Sequence, residues 1–165
     1  HGMTALECVM VGRHTQSRAG FFAGMVSLPA TWKEERAIRA RSMELLDLLG
    51  IADLADAEAT SLAFGQQRAV EMARALALEP HLLLLDEPAA GLNIYETAEV
   101  ARLICTIRDM GITVLLVEHD MSLVMDISDE IVVLSFGSKL AEDTPINIQK
   151  NEEVIKIYLG EDEAA

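Results

Sequence analysis

The sequence predicts an α/β protein with a helical first half and a second half of parallel strand–helix units. Apolar residues recur at helical spacing through much of the first half. Two short apolar runs, Leu82-Leu83-Leu84-Leu85 and Thr113 to Val117, each end in acidic residues. A third run, Glu130 to Ser135, follows after another helical stretch.

In order, Thr4 with Glu7 three residues later has a capping-box pattern, which predicts a short helix through Leu6, Val9 and Met10. Residues from about Arg13 to Pro29 are rich in Gly, Ser and Ala, include Phe21-Phe22, and read as a loop. A long helix is expected from Trp32 to Leu49, with Thr31 and Glu34 as its capping pair and Gly50 as its stop. Ile38, Leu45, Leu46 and Leu49 share one face of it. After a helical turn beyond Ala52, a helix starts at Leu62 to Gln66 and runs to about Leu78. Val70, Ala73, Leu76 and Ala77 are its apolar side, and Pro80 ends it.

The runs at Leu82 and Thr113 read as strands buried on both faces. Between them a helix from Tyr95 to Met110 carries Val100, Leu103, Ile104 and Ile107 on one side. A helix over Met121 to Ile127 leads to the third strand, and Gly137 turns it into a hairpin partner near Lys139 to Ala141. Two small helices and a solvated tail around Glu161-Asp162-Glu163 complete the reading.

Composition bounds the function. The formal net charge is −14, from 27 acidic against 13 basic residues, which argues against a nucleic-acid partner. One nucleotide remains a possible ligand, since it needs only a few N–H groups and a metal ion. Cys8 and Cys105, far apart and without metal-spaced partners, read as reduced cytosolic thiols. No apolar run approaches the ~18 residues of a membrane span. The sequence opens at His1 without an initiator methionine or signal-peptide pattern, which points to a missing upstream segment.

Ligands of open α/β sheets gather at the carboxyl ends of strands, where Asp86, Glu87 and His119 fall. Asp86 and Glu87 at one strand tip supply adjacent carboxylates in a semi-buried site. In nucleotide chemistry the first can hold Mg²⁺ and the second can activate water. A strand end followed by a solvated turn is the plainer alternative. Gly65 just before a helix lets N–H groups approach an anion, or simply makes a tight turn. His119 is a catalytic candidate, or equally a surface histidine between Glu118 and Asp120.

Five segments occur in order: Leu62-Ala63-Phe64-Gly65-Gln66-Gln67-Arg68, Met72-Ala73-Arg74-Ala75-Leu76, Leu82 to Pro88, Ala89-Ala90-Gly91-Leu92-Asn93, and Glu118-His119-Asp120. This succession resembles the ABC ATPases, with signature motif, Walker B strand, D-loop and H-loop. The resemblance implies a partial P-loop NTPase (RecA-like) core with parallel strands and flanking helices, plus an ABC-type helical subdomain. Residues 1–79 would be that subdomain, ending in the signature helix, and residues 80–165 the C-terminal half of the core. Within the family the sequence looks most like ATPase subunits of bacterial branched-chain amino acid importers. Gly65-Gln66-Gln67-Arg68, Asp86 to Asn93, Val117 to Met121 and Ile157 to Gly160 carry that likeness. Importers for urea or amides share much of it. A non-transport ABC ATPase is the other alternative, disfavoured by the acidic charge and the lack of long coiled-coil insertions.

The resemblance implies that ATP and Mg²⁺ are used, with Asp86 helping to hold the metal through water. Glu87 would be the general base, and His119 would contact the γ-phosphate. Leu62, Ala63, Phe64, Gly65 and Gln66 would bind ATP in trans, and Ala90, Gly91, Leu92 and Asn93 form the D-loop. The implied partners are a second ATPase subunit, integral membrane permeases and, indirectly, an extracytoplasmic substrate-binding protein. The implied location is the cytoplasmic face of the membrane. Three departures stand out: Ala63 replaces the usual signature serine, Phe64 its first glycine, and Asn93 a common aspartate. The sequence contains no Gly-x-x-x-x-Gly-Lys-Ser/Thr phosphate loop and no Q-loop. A truncated product, inactive alone, is the resulting expectation.

Overall fold

The computed structural model describes residues 2–13 and 29–158. The loop expected around Phe21-Phe22 and the acidic tail lie outside the described residues. The chain forms two compact units, residues 1–117 and 118–165, each considered by itself.

In the first unit, helix α1 (Ala5–Arg13) starts with the expected capping box. The Thr4 N–H donates to Glu7 Oε2 at 2.8 Å and the Glu7 N–H to Thr4 Oγ1 at 3.2 Å. The Ala5 and Leu6 N–H groups donate to the Ala57 and Ala55 carbonyls at 2.9 and 3.0 Å. Those bonds satisfy first-turn donors that a helix cannot satisfy internally, and they tie α1 to residues 55–57, ahead of the helix that starts at Phe64.

Helix α2 (Pro29–Leu48) begins before the expected Trp32, which puts Thr31 inside the helix rather than at its cap. Proline has no N–H to lose at a first helical position, and its fixed φ favours the start. The helix ends as expected. Gly50 takes φ +73°, its N–H donates to the Asp47 carbonyl at 2.9 Å, and the Ile51 N–H donates to Leu46 at 2.9 Å. That is a Schellman ending, in which Gly supplies the left-handed residue. Leu45, Leu46 and Leu49 are buried as their spacing predicts, whereas Ile38 is only half-buried.

Helix α3 (Phe64–Leu76) buries Val70, Ala73 and Leu76, and also Ala69 and Met72. Strands β1 (Leu82–Asp86) and β2 (Thr113–Val117) pair in parallel, with Leu82 opposite Thr113 and Asp86 opposite Val117. Helix α4 (Ile94–Asp109) connects them and buries Val100, Leu103, Ile104 and Ile107, the face read from the sequence.

The strands are not buried on both faces. Leu84 is 65% exposed and Leu115 and Val117 are each 56% exposed, while Leu83 is buried. An apolar run shows that a strand can be covered twice; it does not supply the second cover.

In the second unit, helix α5 (Met121–Ile127) leads to strands β3 (Ile131–Ser135) and β4 (Ser138–Asp143). β3 pairs antiparallel with β4, the hairpin partner expected near Lys139 to Ala141. Phe136 and Gly137 both have positive φ, +47° and +77°, the two-residue turn whose twist matches a hairpin. Ile131 and Val133 pack with Ile148 of α6 (Pro145–Ile148) and Val154 of α7 (Glu152–Tyr158). Among the described residues no helix is long and apolar enough to cross a membrane.

Candidate nucleotide site

The segment Leu62 to Gln66 forms the entry to α3. Ala63 takes the cap with extended dihedrals (φ −62°, ψ 154°), so Gly65 lies within the first turn rather than just before it. No side chain caps this turn from Ala63, because a methyl group has no acceptor. Instead Gln66 Oε1 accepts the Ala63 N–H at 3.1 Å, and Gln67 Nε2 donates to the Leu62 carbonyl at 2.8 Å. Leu62 is buried and anchors the segment, while Ala63 and Phe64 are exposed. The result is a helix start whose first-turn N–H groups and partial positive charge are suited to an anion.

Gly65 also meets α4. A Cβ on Gly65 would lie 3.7 Å from both Cβ and Cγ of Glu96, so the first turns of α3 and α4 touch. Asn93 caps α4: its Oδ1 accepts from the Tyr95 and Glu96 N–H groups at 2.9 and 3.1 Å. The Asn93 N–H in turn donates to Glu96 Oε2 at 3.0 Å. Two helix N-termini therefore stand side by side. Glu96 links them, and the spacing Asn93-x-x-Glu96 could have shown its capping half from sequence.

The connection from β1 to α4 is tightly folded. The Glu87 N–H donates to the Val117 carbonyl at 2.9 Å, and the Glu87 carbonyl accepts the Ala90 N–H at 3.0 Å. Between these bonds Glu87 is held at φ +45°, an uncommon value for a residue with a side chain. Such strain persists where surrounding bonds impose it, often at functional positions. The Leu92 N–H donates to the Ala89 carbonyl at 3.1 Å, and Gly91 turns the chain at φ +78°. Pro88 and Ala89 are buried; Ala90, Gly91 and Asn93 are exposed and Leu92 half-buried.

Asp86 and Glu87 are both exposed, not semi-buried as the sequence suggested. They stand at the tip of a sheet with one uncovered face, and the leucines around them cannot screen them from water. Asp86, Glu87, residues 90–93 and the start of α3 belong to the first compact unit, and His119 to the second.

His119 is exposed, its side chain 71% accessible, whereas the Glu118 side chain is only 1% accessible. The His119 N–H donates to Glu118 Oε2 at 3.2 Å. Asp120 Oδ1 accepts from the Ser122 and Leu123 N–H groups at 3.0 and 3.2 Å and so caps α5. Both flanking acids are thus occupied by backbone. Of these three residues, His119 is the exposed one.

The chain is similar to known proteins of one family. The family model described as ABC transporter matches residues 8–90, and that described as branched-chain amino acid ATP-binding cassette transporter matches residues 138–164. The chain is 45% identical over 160 residues to the high-affinity branched-chain amino acid transport ATP-binding protein BraF of Pseudomonas aeruginosa, covering 96% of this chain and 63% of that protein. It is 42% identical, with the same coverage, to LivG of Escherichia coli, which carries the same description. The structure of an ABC transporter in an inward-facing conformation matches with a TM-score of 0.80 at 26% identity, over 96% of this chain and 59% of that one. The chain thus spans a little under two thirds of the curated relatives it matches. By the family match over residues 8–90, the chain belongs to the ABC transporter ATP-binding family.

Proposed function

We propose that the chain works in an ATP-hydrolysing subunit that powers import of branched-chain amino acids. The observation that carries this reading is the 45% identity to BraF across 96% of the chain. The match of residues 138–164 to the branched-chain model supports it independently.

In this reading residues 1–79 are the helical subdomain and residues 80–165 the second half of the ATPase core. Leu62 to Gln66 meet a nucleotide held by a second subunit, with the N–H groups of the first turn of α3 facing its phosphates. Ala63 cannot donate the hydrogen bond of the usual serine, a loss of about 0.5–1.5 kcal/mol that leaves the helix terminus as the main attraction. Ala90 to Asn93 lie along the contact between the subunits. Glu87 orients an attacking water and takes its proton, in the geometry fixed by its bonds to Val117 and Ala90. Asp86 is the metal-side carboxylate.

One or two carboxylates suit Mg²⁺, which keeps waters and phosphate oxygens as its other ligands. The exposed Asp86 meets that requirement; among the described residues no group of three or more ligating side chains forms a protein cage. When bound, Mg²⁺ neutralises charge developing on the transferred phosphate. His119 contacts the γ-phosphate from its exposed position. Permease subunits receive the motion on the cytoplasmic face of the membrane, and an extracytoplasmic binding protein delivers the substrate to them.

Uptake assays test the reading. A subunit of the relatives' full length carrying these residues is assembled with its permeases in liposomes. ATP-dependent uptake of leucine, isoleucine or valine is expected. Uptake of urea or an amide alone would overturn the substrate, and no ATP-dependent uptake of any of them would overturn the transport reading.

A further inference from the structure

The proposed chemistry uses His119 and leaves its neighbour Glu118 without a role. Yet Glu118 is the more unusual residue. Its side chain is 1% accessible beside a histidine that is 71% accessible. A carboxylate is removed from water only where donors hold it. Here one oxygen, Oε2, accepts the His119 backbone N–H at 3.2 Å and lies 3.9 Å from Nδ1 of the same residue. The contact at Nδ1 is longer than a hydrogen bond, but a negative oxygen at that distance still favours a hydrogen on Nδ1 over a lone pair.

We propose that Glu118 is a positioning residue for His119: it orients the imidazole with Nδ1 inward, sets the hydrogen of the neutral ring on Nδ1, and leaves Nε2 as the nitrogen facing outward. The logic is that of carboxylate–histidine pairs elsewhere, in which the partner of one ring nitrogen decides the state of the other. When the ring is charged both nitrogens carry hydrogens. Nε2 then donates outward while Glu118 balances the charge behind it. Asp120 cannot take this part, because its carboxylate oxygen is committed to the cap of α5. The value of Nε2 to a nucleotide rests on the role proposed for His119, whereas the tautomer does not.

The test separates the two. Nitrogen-15 NMR of histidine side chains in this chain, with His119 assigned by loss of its signal in His119→Gln, reads the tautomer of the neutral ring without nucleotide. In the unsubstituted chain the Nδ1–H form is expected to be the major one; a major Nε2–H form overturns the proposal without any variant of Glu118. In Glu118→Gln the population is expected to shift toward Nε2–H, and Glu118→Asp, which keeps the charge, to retain more of the Nδ1–H form. Equal populations in all three also overturn it. In the full-length subunit, Glu118→Gln is expected to lower turnover about 10-fold or more. If His119→Gln leaves turnover unchanged while the tautomer shifts as stated, the phosphate role of His119 fails and the positioning by Glu118 stands.

Discussion

Gly12 of α1 stands so close to Arg74 of α3 that a Cβ added to it would lie 2.3 Å from the Arg74 carbonyl oxygen and 3.2 Å from the Ala77 Cβ. The two helices cross at a contact that only glycine permits. The obstacle is backbone, so no rotamer change relieves it.

Gly12→Ala sets two effects against each other. Alanine gains up to about 1 kcal/mol of helix propensity, but forcing a methyl group into a filled contact costs about 1–3 kcal/mol. A backbone oxygen at 2.3 Å places the cost at the upper end. Urea unfolding is expected to show a net loss of about 2 kcal/mol. Unchanged stability would mean that α1 and α3 do not approach as described.

Ser42 is fully buried, and its Oγ has no hydrogen-bond partner, the one such side-chain atom among the described residues. A buried hydroxyl left unpaired costs about 1–3 kcal/mol, and alanine is also the better helix former. Ser42→Ala is therefore expected to raise stability by about 1 kcal/mol in the same assay. A loss instead would show that the hydroxyl is bonded in solution.

The Arg13–Glu79 pair gives the acid behaviour a specific contributor. Arg13 Nη1 donates to Glu79 Oε1 at 2.8 Å, and this hydrogen bond, together with the guanidinium charge, holds the Glu79 carboxyl below its ordinary value of 4.5. The folded chain therefore favours the charged form. Its contribution is fully present above the ordinary value and is lost as the pH falls through the lowered one. Because Glu79 is exposed, the effect is small and weakened by salt. Glu79→Gln is expected to flatten the stability-versus-pH curve of the chain below pH 4.5; parallel curves for the two proteins would remove the assignment.

The fold was legible where a local rule settles the outcome. The apolar face of Val100, Leu103, Ile104 and Ile107 gives α4 almost to its ends. Gly50 stops α2 where expected. What local rules do not contain was missed. Leu84 and Leu115 are as apolar as buried residues, but nothing in their own strands says whether a layer covers them. The positive φ of Glu87 arises from bonds to Val117 and Ala90, and the burial of Glu118 from its surroundings. The order of the site segments was readable because it is a pattern of sequence; their accessibility was not, because it depends on partners distant in the chain.

For ATP binding, the absence of a Gly-x-x-x-x-Gly-Lys-Ser/Thr segment from these residues leads to a direct expectation. That loop supplies both the N–H cradle and the lysine for the phosphates. This chain by itself is expected to show no micromolar Mg-ATP affinity by calorimetry and no turnover. Micromolar binding would mean that the exposed starts of α3 and α4 hold nucleotide unaided.

The measurement that bears most directly on the central claim is turnover of Glu87→Gln in a full-length subunit carrying these residues. Glutamine keeps the shape of the side chain and can hydrogen-bond a water, but it cannot take the proton. Hydrolysis is expected to slow by roughly 100- to 10,000-fold, the contribution of a positioned general base. ATP affinity is expected to change little, and a dimer to accumulate in Mg-ATP on size-exclusion chromatography. Asp86→Asn is expected to weaken that dimer instead, by weakening the metal site. If Glu87→Gln turned over ATP at the unsubstituted rate, Glu87 would be only an exposed carboxylate at the end of a strand, and the account of this site would be contradicted.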